Sequence, residues 1–598
     1  MCEPAERSSP PSTHNQAILM HTLKRTLTDF IGAELATITG LDEVNPNVIT
    51  ASKPEFGDYQ ANGVMGLAKR LGRNPRELGT ELLARLNAAA NPLVSHYELA
   101  GPGFINIHLA GDALRDRANE LLVDSSLLVL PTESPQTIVV DYSSPNLAKE
   151  MHVGHLRGTI IGDSIARILE RQGNRVIRQN HVGDWGTQFG MLITFMRESS
   201  AEAGVALADL EGFYRAAKQR FDADSEFADR ARESVVKLQG GDPEYLEAWQ
   251  AFISTSLTHC QAVYDKLNVA LSMTDLKAES FYNPQLEGVV TRLENTGLLK
   301  DSDGARCVFL DEFIGKDGEP LPVIIQKTDG GYLYATTDLA AVDYRCHELK
   351  ADRSLYVVDA RQSLHFQQVF AVAAAAGFSD EAISLEHISY GTMMGSDGKP
   401  FKTRSGDVVK LVDLLDEAVA RAFDLVSSKN PDLEETERRH IAQAVGIAAV
   451  KYADLSKNRT SDYLFDWSSM LSFEGNTAPY LMYAYARIKT LLAKQAVDTD
   501  GIISFPESIA LAPEEKALLL KSLQLAETID AVAQDCFPNT LSNYLYELSG
   551  SFMRFYEACP IQGTDAVTRA NRLSLCVLAS EALKQGLDLL GIETLERM

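Results

Sequence analysis

One stretch near the first quarter of the chain constrains the fold more than any other. It runs Thr137-Ile138-Val139-Val140-Asp141, then Tyr142-Ser143-Ser144-Pro145-Asn146, then Lys149-Glu150-Met151-His152-Val153-Gly154-His155-Leu156-Arg157-Gly158. The apolar run predicts a short strand over Thr137 to Val140, Pro145-Asn146 predicts a break, and a helix is expected from about Gly154 through Ile168. Open α/β sheets present nucleotide sites in this order, at the carboxyl end of a strand. The free N–H groups and positive dipole end of the helix favour phosphate. His152 and His155 are three residues apart, so both can reach one phosphate or leaving group. Gly154 leaves room for a flat base or ribose against the backbone. The tetrapeptide alone fits two ordinary surface histidines equally well, and only its surroundings favour the nucleotide site.

Length and composition bound the rest. A chain of 598 residues has room for three or four domains with cores of their own. Its 45% hydrophobic and 23% charged residues fit a soluble globular protein, and no apolar run approaches a membrane span. Residues 1–16, with Pro4, Pro10 and Pro11, read as a flexible tail rather than a signal peptide. The cysteines Cys2, Cys260, Cys307, Cys346, Cys536, Cys559 and Cys576 are scattered and odd in number, which points to reduced thiols in the cytosol and to no structural zinc. The net charge of −26 argues against sequence-independent DNA binding. It leaves a specific RNA complex open, because a binding face is a local matter.

Taken in order, Ala17 to Ile38 carries apolar residues at helical spacing, and Pro75 to Ala88 is a second helix with Asn74 as its cap. Tyr97 to Leu109 reads as a turn at Gly101-Pro102-Gly103 followed by a strand. This α+β unit, 17–130, ends at the linker Pro131-Thr132-Glu133-Ser134-Pro135. Residues 131–410 read as a Rossmann-like parallel-sheet domain, with a second strand at Val176 to His181 and a largely helical insertion at about 196–330. The sheet is expected to resume at Val323-Ile324-Ile325-Gln326, continue through Tyr332 to Ala340, and include Ser354 to Val358. A glycine-rich cationic loop follows, Met394-Gly395-Ser396-Asp397-Gly398-Lys399-Pro400-Phe401-Lys402-Thr403-Arg404. A basic loop facing an anion-binding helix start suits a transferring phosphoryl group. From Leu411 the chain is helical: a connector over 411–470 with a strongly amphipathic helix at Ala442–Ser456, then an all-α bundle over 471–598 with helices at 513–534, 538–558 and 566–590.

The block from Asp141 to Asp163 resembles the ATP-binding signature of class I aminoacyl-tRNA synthetases. Ser143-Ser144-Pro145-Asn146-Leu147-Ala148-Lys149 ahead of His152-Val153-Gly154-His155-Leu156-Arg157 resembles the arginyl-tRNA synthetases in particular. So do Gly183-Asp184-Trp185-Gly186-Thr187-Gln188-Phe189-Gly190, Phe56-Gly57-Asp58-Tyr59-Gln60 and Gly101-Pro102-Gly103-Phe104-Ile105-Asn106. The resemblance covers nearly the whole chain. It implies an arginine–tRNA ligase: arginine is activated with ATP to arginyl-adenylate, then transferred to the terminal adenosine of tRNA(Arg), with first attack by the 2′-hydroxyl. Mg²⁺ is expected to travel with ATP rather than sit in a protein cage. The family commonly needs bound tRNA before it activates arginine, and it is not expected to carry an editing domain.

By the same resemblance, His152, His155, Gly154 and the helix start serve ATP. Most class I enzymes hold pyrophosphate with the second lysine of a Lys-Met-Ser-Lys-Ser loop. Here Arg404 falls at that position, so Lys149 and Lys402 are assigned the role jointly, with Lys399 beside the phosphates. A substrate guanidinium needs carboxylates. Asp338 and Asp141 are expected to supply them, Tyr334 and Gln362 to add contacts, and Ser143 and Asn146 to hold the α-amino and carboxylate ends. For Asp141 and Asp338 the competing reading is helix capping or a structural salt bridge. Phe104 and Asn106 are expected to meet an unpaired tRNA base, the alternative being a core phenylalanine and a strand-capping asparagine. Arg487, on the helix after Asn476-Thr477-Ala478-Pro479, joins them as a tRNA contact. The terminal bundle matches the family's anticodon-binding domain, though composition alone allows a dimerisation module. Two rivals stand: another His-x-Gly-His nucleotidyl-transfer enzyme, which would lack the flanking tRNA domains, and a synthetase-like binding module, which would be expected to lose His152, His155 or Asp338. No exposed apolar stripe asks for a partner copy, so a monomer is expected.

Overall fold

The computed structural model describes residues 21–199, 210–316, 318–401, 409–495, 504–506 and 510–598. The tail expected over 1–16 lies outside them, as do Lys402 and Arg404. The first described helix, Leu23–Thr39, starts at Thr22, whose side chain accepts from the Arg25 amide, and ends at left-handed Gly40. It buries Leu23, Leu27, Ile31 and Leu35 at i, i+4 spacing. Asn74 caps the helix Pro75–Ala89 through the Arg76 and Glu77 amides. Both pack on an antiparallel sheet of β1 (Val48–Thr50), β2 (Tyr59–Ala61), β3 (Val94–Ala100) and β4 (Phe104–Leu109), in the order β1-β2-β4-β3. The segment Tyr97 to Leu109 is thus a hairpin: Gly101-Pro102-Gly103 turns one strand into the next.

The strand expected at Thr137 is β5 (Thr137–Asp141), and β6 (Arg175–Gln179) pairs beside it in parallel. Among its described residues the insertion carries the helices Leu210–Ala223, Ser225–Gln239 and Pro243–Lys266. It then forms a separate antiparallel sheet of β7 (Leu299–Ser302), β8 (Ala305–Ile314) and β9 (Pro320–Gln326). Val323 to Gln326 therefore does not return to the parallel sheet. Val323 and Ile325 are buried while Ile324 is exposed, so this strand has one covered face, and a run of three β-branched residues does not distinguish that from burial on both faces. Nor does Tyr332 to Ala340 continue a strand, because Tyr334–Asp343 is a helix. The parallel sheet is completed by β10 (Arg353–Tyr356) and β11 (Ser384–His387), in the order β11-β10-β5-β6.

The helical half also departs from expectation at two points. The helix Glu435–Leu455 is buried on every side from Ile441 onward, including Lys451 and Asp454, rather than amphipathic. It threads between the catalytic half and the C-terminal helices, and a side chain at Gly446 would strike the Ala418 backbone. The single helix expected over 513–534 is two, Pro513–Leu523 and Leu525–Asp535, meeting at Gln524, whose amide donates to Tyr59 Oη. The helices Pro538–Ala558 and Ala566–Leu589 complete the bundle. The helix Leu525–Asp535 is a hub: Glu527 accepts from Tyr59 Oη at 3.0 Å and Asp530 accepts from Gln172 at 2.7 Å.

Candidate active site

The histidine stretch folds in two steps. His152 caps a short 3-10 turn, Val153–His155, and the α-helix proper runs Leu156–Arg171. The Gly154 amide donates to His152 Nδ1 at 3.0 Å, and the His152 amide donates to His155 Nδ1 at 3.1 Å. Both Nδ1 atoms accept, so in the neutral rings the proton sits on Nε2. Burial, then His152 and Lys149, push His155 down to about 3, and burial with Lys149 and Arg361 lowers His152. At neutral pH the pair is therefore two uncharged N–H donors, with ring centroids 4.0 Å apart. Gly154 is exposed, and a Cβ there would meet the His152 ring at 2.8 Å. Gly158 and Gly162, one turn apart, let the helix press on Tyr390 and Tyr142.

Four residues lie in register across the carboxyl end of the sheet: His387, Tyr356, Asp141 and Gln179. Fully buried Arg345 spans three of them, donating to Gln179 and Asp141 at 2.7 Å each and lying 4.6 Å from the Tyr356 ring. This bears on Asp141, for which a structural salt bridge is the competing reading. Its carboxylate accepts from Arg345 on Oδ2 and from Ser144 Oγ on Oδ1. Ser143 and Ser144 follow with φ of 72° and 45°, strained for residues with a side chain. Ser143 Oγ is held by Tyr264 and Thr159. Asn146 Oδ1 accepts from the Ala148 amide.

Beside this row lies an acidic pocket. Tyr334 and Asp338 are one turn apart on the helix Tyr334–Asp343. Asp338 Oδ2 sits 2.6 Å from His365 Nε2, and the Tyr334 ring meets His365 edge-on at 4.8 Å. Glu279 is pushed up to about 7 by burial and by the charges of Asp184 and Asp338. Asp184, buried and hydrogen-bonded by Ser280, is also raised by burial. A carboxyl raised by burial and by two neighbouring carboxylates favours a cation beside it. Gln362 is exposed and makes no side-chain hydrogen bond among the described residues, directly before the helix Ser363–Ala376 that carries His365. Sequence reasoning did not assign Glu279, Arg345 or His365. Glu279 lies in the insertion, where neither periodicity nor motif marks it, and His365 was within reach only as a neighbour of Gln362.

Lys149 stands 4.5 Å from the Tyr214 ring, close enough to lower both histidines. Lys399 is exposed at a turn closed by the Gly395 amide on its carbonyl. Lys402 lies outside the described residues, but the chain beyond it pairs with the signature: the Val153 amide donates to Val409 and the Leu411 amide to Met151. Lys410 thus bridges to His152. Arg361, paired with Asp359 yet largely exposed, adds a cation beside His152.

The three expected RNA contacts lie apart from this site. Phe104 is half-buried on β4, whereas Asn106 is buried, accepting from Gln60 at 2.7 Å and donating to Glu98 at 3.4 Å. Its amide is engaged within the sheet. Arg487 lies 4.4 Å from the Tyr556 ring, with Tyr483 on the same patch; both tyrosines are exposed.

Comparison with known proteins places this geometry. Three family models match: "tRNA synthetases class I (R), catalytic domain" over residues 117–467, "DALR anticodon binding domain" over 481–598 and "Arginyl tRNA synthetase N terminal domain" over 21–109. The arginine–tRNA ligase of Laribacter hongkongensis is 54% identical over 579 residues, spanning 96% of this chain and 100% of that protein. That of Ectopseudomonas mendocina is 57% identical over 544 residues, 91% of this chain and 93% of its own. Among solved structures, the arginyl-tRNA synthetases of Plasmodium falciparum and Thermus thermophilus superpose with TM-scores of 0.82 and 0.77 at 27% and 26% identity. They cover 97% and 96% of this chain and all of their own.

Proposed function

Because the chain belongs to the arginyl-tRNA synthetases of class I, we infer that it ligates arginine to tRNA in two steps at the site just described. In the first, the arginine carboxylate attacks the α-phosphorus of ATP, forming arginyl-adenylate and releasing pyrophosphate. In the second, a hydroxyl of the terminal ribose of tRNA(Arg), the 2′-hydroxyl in this class, attacks the adenylate carbonyl and AMP leaves. No general base is needed for the first step, since a carboxylate is a nucleophile at neutral pH. Catalysis is then positioning and stabilisation of charge at the pentavalent phosphorus. His152 and His155 offer uncharged Nε2–H donors, Gly154 leaves space for the adenosine, and Lys149, Lys399 and Lys402 answer the pyrophosphate charge. Mg²⁺ arrives with ATP.

The observation that carries the arginine assignment is the cation-deficient pocket of Asp338 and Glu279, backed by Asp184. Tyr334 and Gln362 flank it, and Ser143 and Asn146 hold the α-amino and carboxylate ends of the substrate. We assign Asp141 to the floor, where with Arg345 it sets the shape of the pocket. Phe104 and Arg487 are read as tRNA contacts, from the N-terminal domain and the bundle, and the enzyme as a cytoplasmic monomer. ATP–pyrophosphate exchange with each amino acid, with and without total tRNA, tests the reading. Exchange with arginine only is expected, and exchange with a different amino acid would overturn the pocket assignment.

A further inference from the structure

We propose that His365 is a positioning residue for arginine selection: by holding one oxygen of Asp338 it presents the other, together with Glu279, as two separate acceptors for a planar guanidinium. The inference rests on the reading of Asp338 as the guanidinium acceptor. His365 Nε2 lies 2.6 Å from Asp338 Oδ2, with the two side chains only 15% and 18% exposed. The ring is fixed from two sides by Phe366 at 5.2 Å and Tyr334 at 4.8 Å. An ionised carboxylate only accepts, so Nε2 carries the proton and donates. Among the described residues no hydrogen bond reaches Asp338 Oδ1 from the protein.

A carboxylate with both oxygens free grips a guanidinium through two parallel N–H bonds. It also holds a lysine ammonium well, because a compact three-donor cation suits any open carboxylate. With Oδ2 engaged, Asp338 has a single outward oxygen. The second acceptor comes from elsewhere, and we assign it to Glu279, a largely buried carboxyl that the charge of Asp338 helps to raise. A guanidinium carries five donors in a rigid plane and can meet two carboxylates with directed N–H bonds, whereas an ammonium offers three donors from a single nitrogen and cannot match a planar spacing of acceptors. A site built to hydrogen-bond one shape leaves buried acceptors unpaired with another, which is how large discrimination arises. His365 thus gives up one acceptor on Asp338 in exchange for selectivity in spacing.

The test uses the full-length enzyme with tRNA and MgATP in pyrophosphate exchange, comparing His365→Ala, His365→Gln and Asp338→Asn. His365→Ala is expected to raise KM for arginine about 10-fold or more, with kcat and KM for ATP nearly unchanged, and to narrow the preference for arginine over lysine. His365→Gln, whose amide can donate to the same oxygen, is expected to recover most of the loss. An unchanged KM in His365→Ala would overturn the proposal. So would equal losses in kcat and thermal midpoint, or a glutamine variant no better than alanine. Asp338→Asn separates the two levels. If it leaves KM for arginine unchanged, the pocket itself is misread; if it raises KM while His365→Ala does not, only the role of His365 falls.

Discussion

The Arg157 guanidinium, three residues beyond Gly154, lies 3.0 Å from the Asp454 carboxylate in an ion pair that is 2% and 0% exposed. It fastens the start of the histidine helix to the buried helix Glu435–Leu455. Arg157 also donates to the Ser461 carbonyl and faces the Tyr463 ring at 5.1 Å. Burial outweighs Arg157 at Asp454 and leaves its carboxyl raised, so the pair is a latch whose breakage strands a buried charge. Arg157→Ala or Asp454→Ala should each cost about 3–5 kcal/mol of stability by denaturant titration, while Arg157→Met combined with Asp454→Leu should cost clearly less than the two singles together.

The acidic pocket makes arginine binding dependent on pH. The Glu279 carboxyl is raised to about 7 without ligand, and it must be ionised to meet a guanidinium. As pH falls below 7, KM for arginine should therefore rise, approaching about tenfold per unit, while KM for ATP stays level. The sign for folding runs the other way: a raised carboxyl stabilises the fold below its unfolded value, and that contribution fades as pH climbs through 7. Glu279→Gln should raise KM for arginine about 10- to 100-fold and flatten its pH profile.

His155 should behave as a fixed neutral donor. Held near 3, it does not titrate between pH 5 and 8, and its removal should cost rate rather than alter the pH profile. His155→Ala is expected to lower kcat for exchange about 10²–10³-fold, with KM for arginine little changed.

Lys451 is fully buried, donating to the carbonyls of Leu267 and Gly591 at 2.7 Å each, and burial lowers it to about 7 despite Asp163. Between pH 7 and 10.5 the unfolded chain carries more protons at this group, so its contribution to stability rises with pH across that window. Comparing the wild type with Lys451→Met should show the difference, at most about 1.4 kcal/mol per pH unit, and Lys451→Met should lack it.

On the N-terminal sheet, neighbouring positions on one strand should separate. Phe104→Ala should weaken tRNA binding by about 1–3 kcal/mol, as for loss of one stacked base, with the thermal midpoint nearly unchanged. Asn106→Ala should lower the midpoint instead, because Gln60 and Glu98 lose their partner inside the fold.

The family and the elements with local signals are legible in the order of residues alone. The strand at Thr137 and the Asn74 cap are each written in a few consecutive residues, because strand patterning and helix capping are short-range physics. The same holds for Lys149, His152, Gly154 and His155, which sit side by side in the chain. Only the tertiary structure decided which charges meet. Asp141 is an acid at a strand end in the sequence, and the fold brings it Arg345 from two hundred residues away. Glu279 and His365 gain their meaning from Asp338, which packing sets beside them. Burial decided Val323 to Gln326 and Glu435–Leu455, since an apolar run records how hydrophobic a segment is but not how many of its faces are covered. Electrostatic partnership between residues far apart in the chain, and the number of faces a segment has covered, depend on distances in space that no local spacing displays.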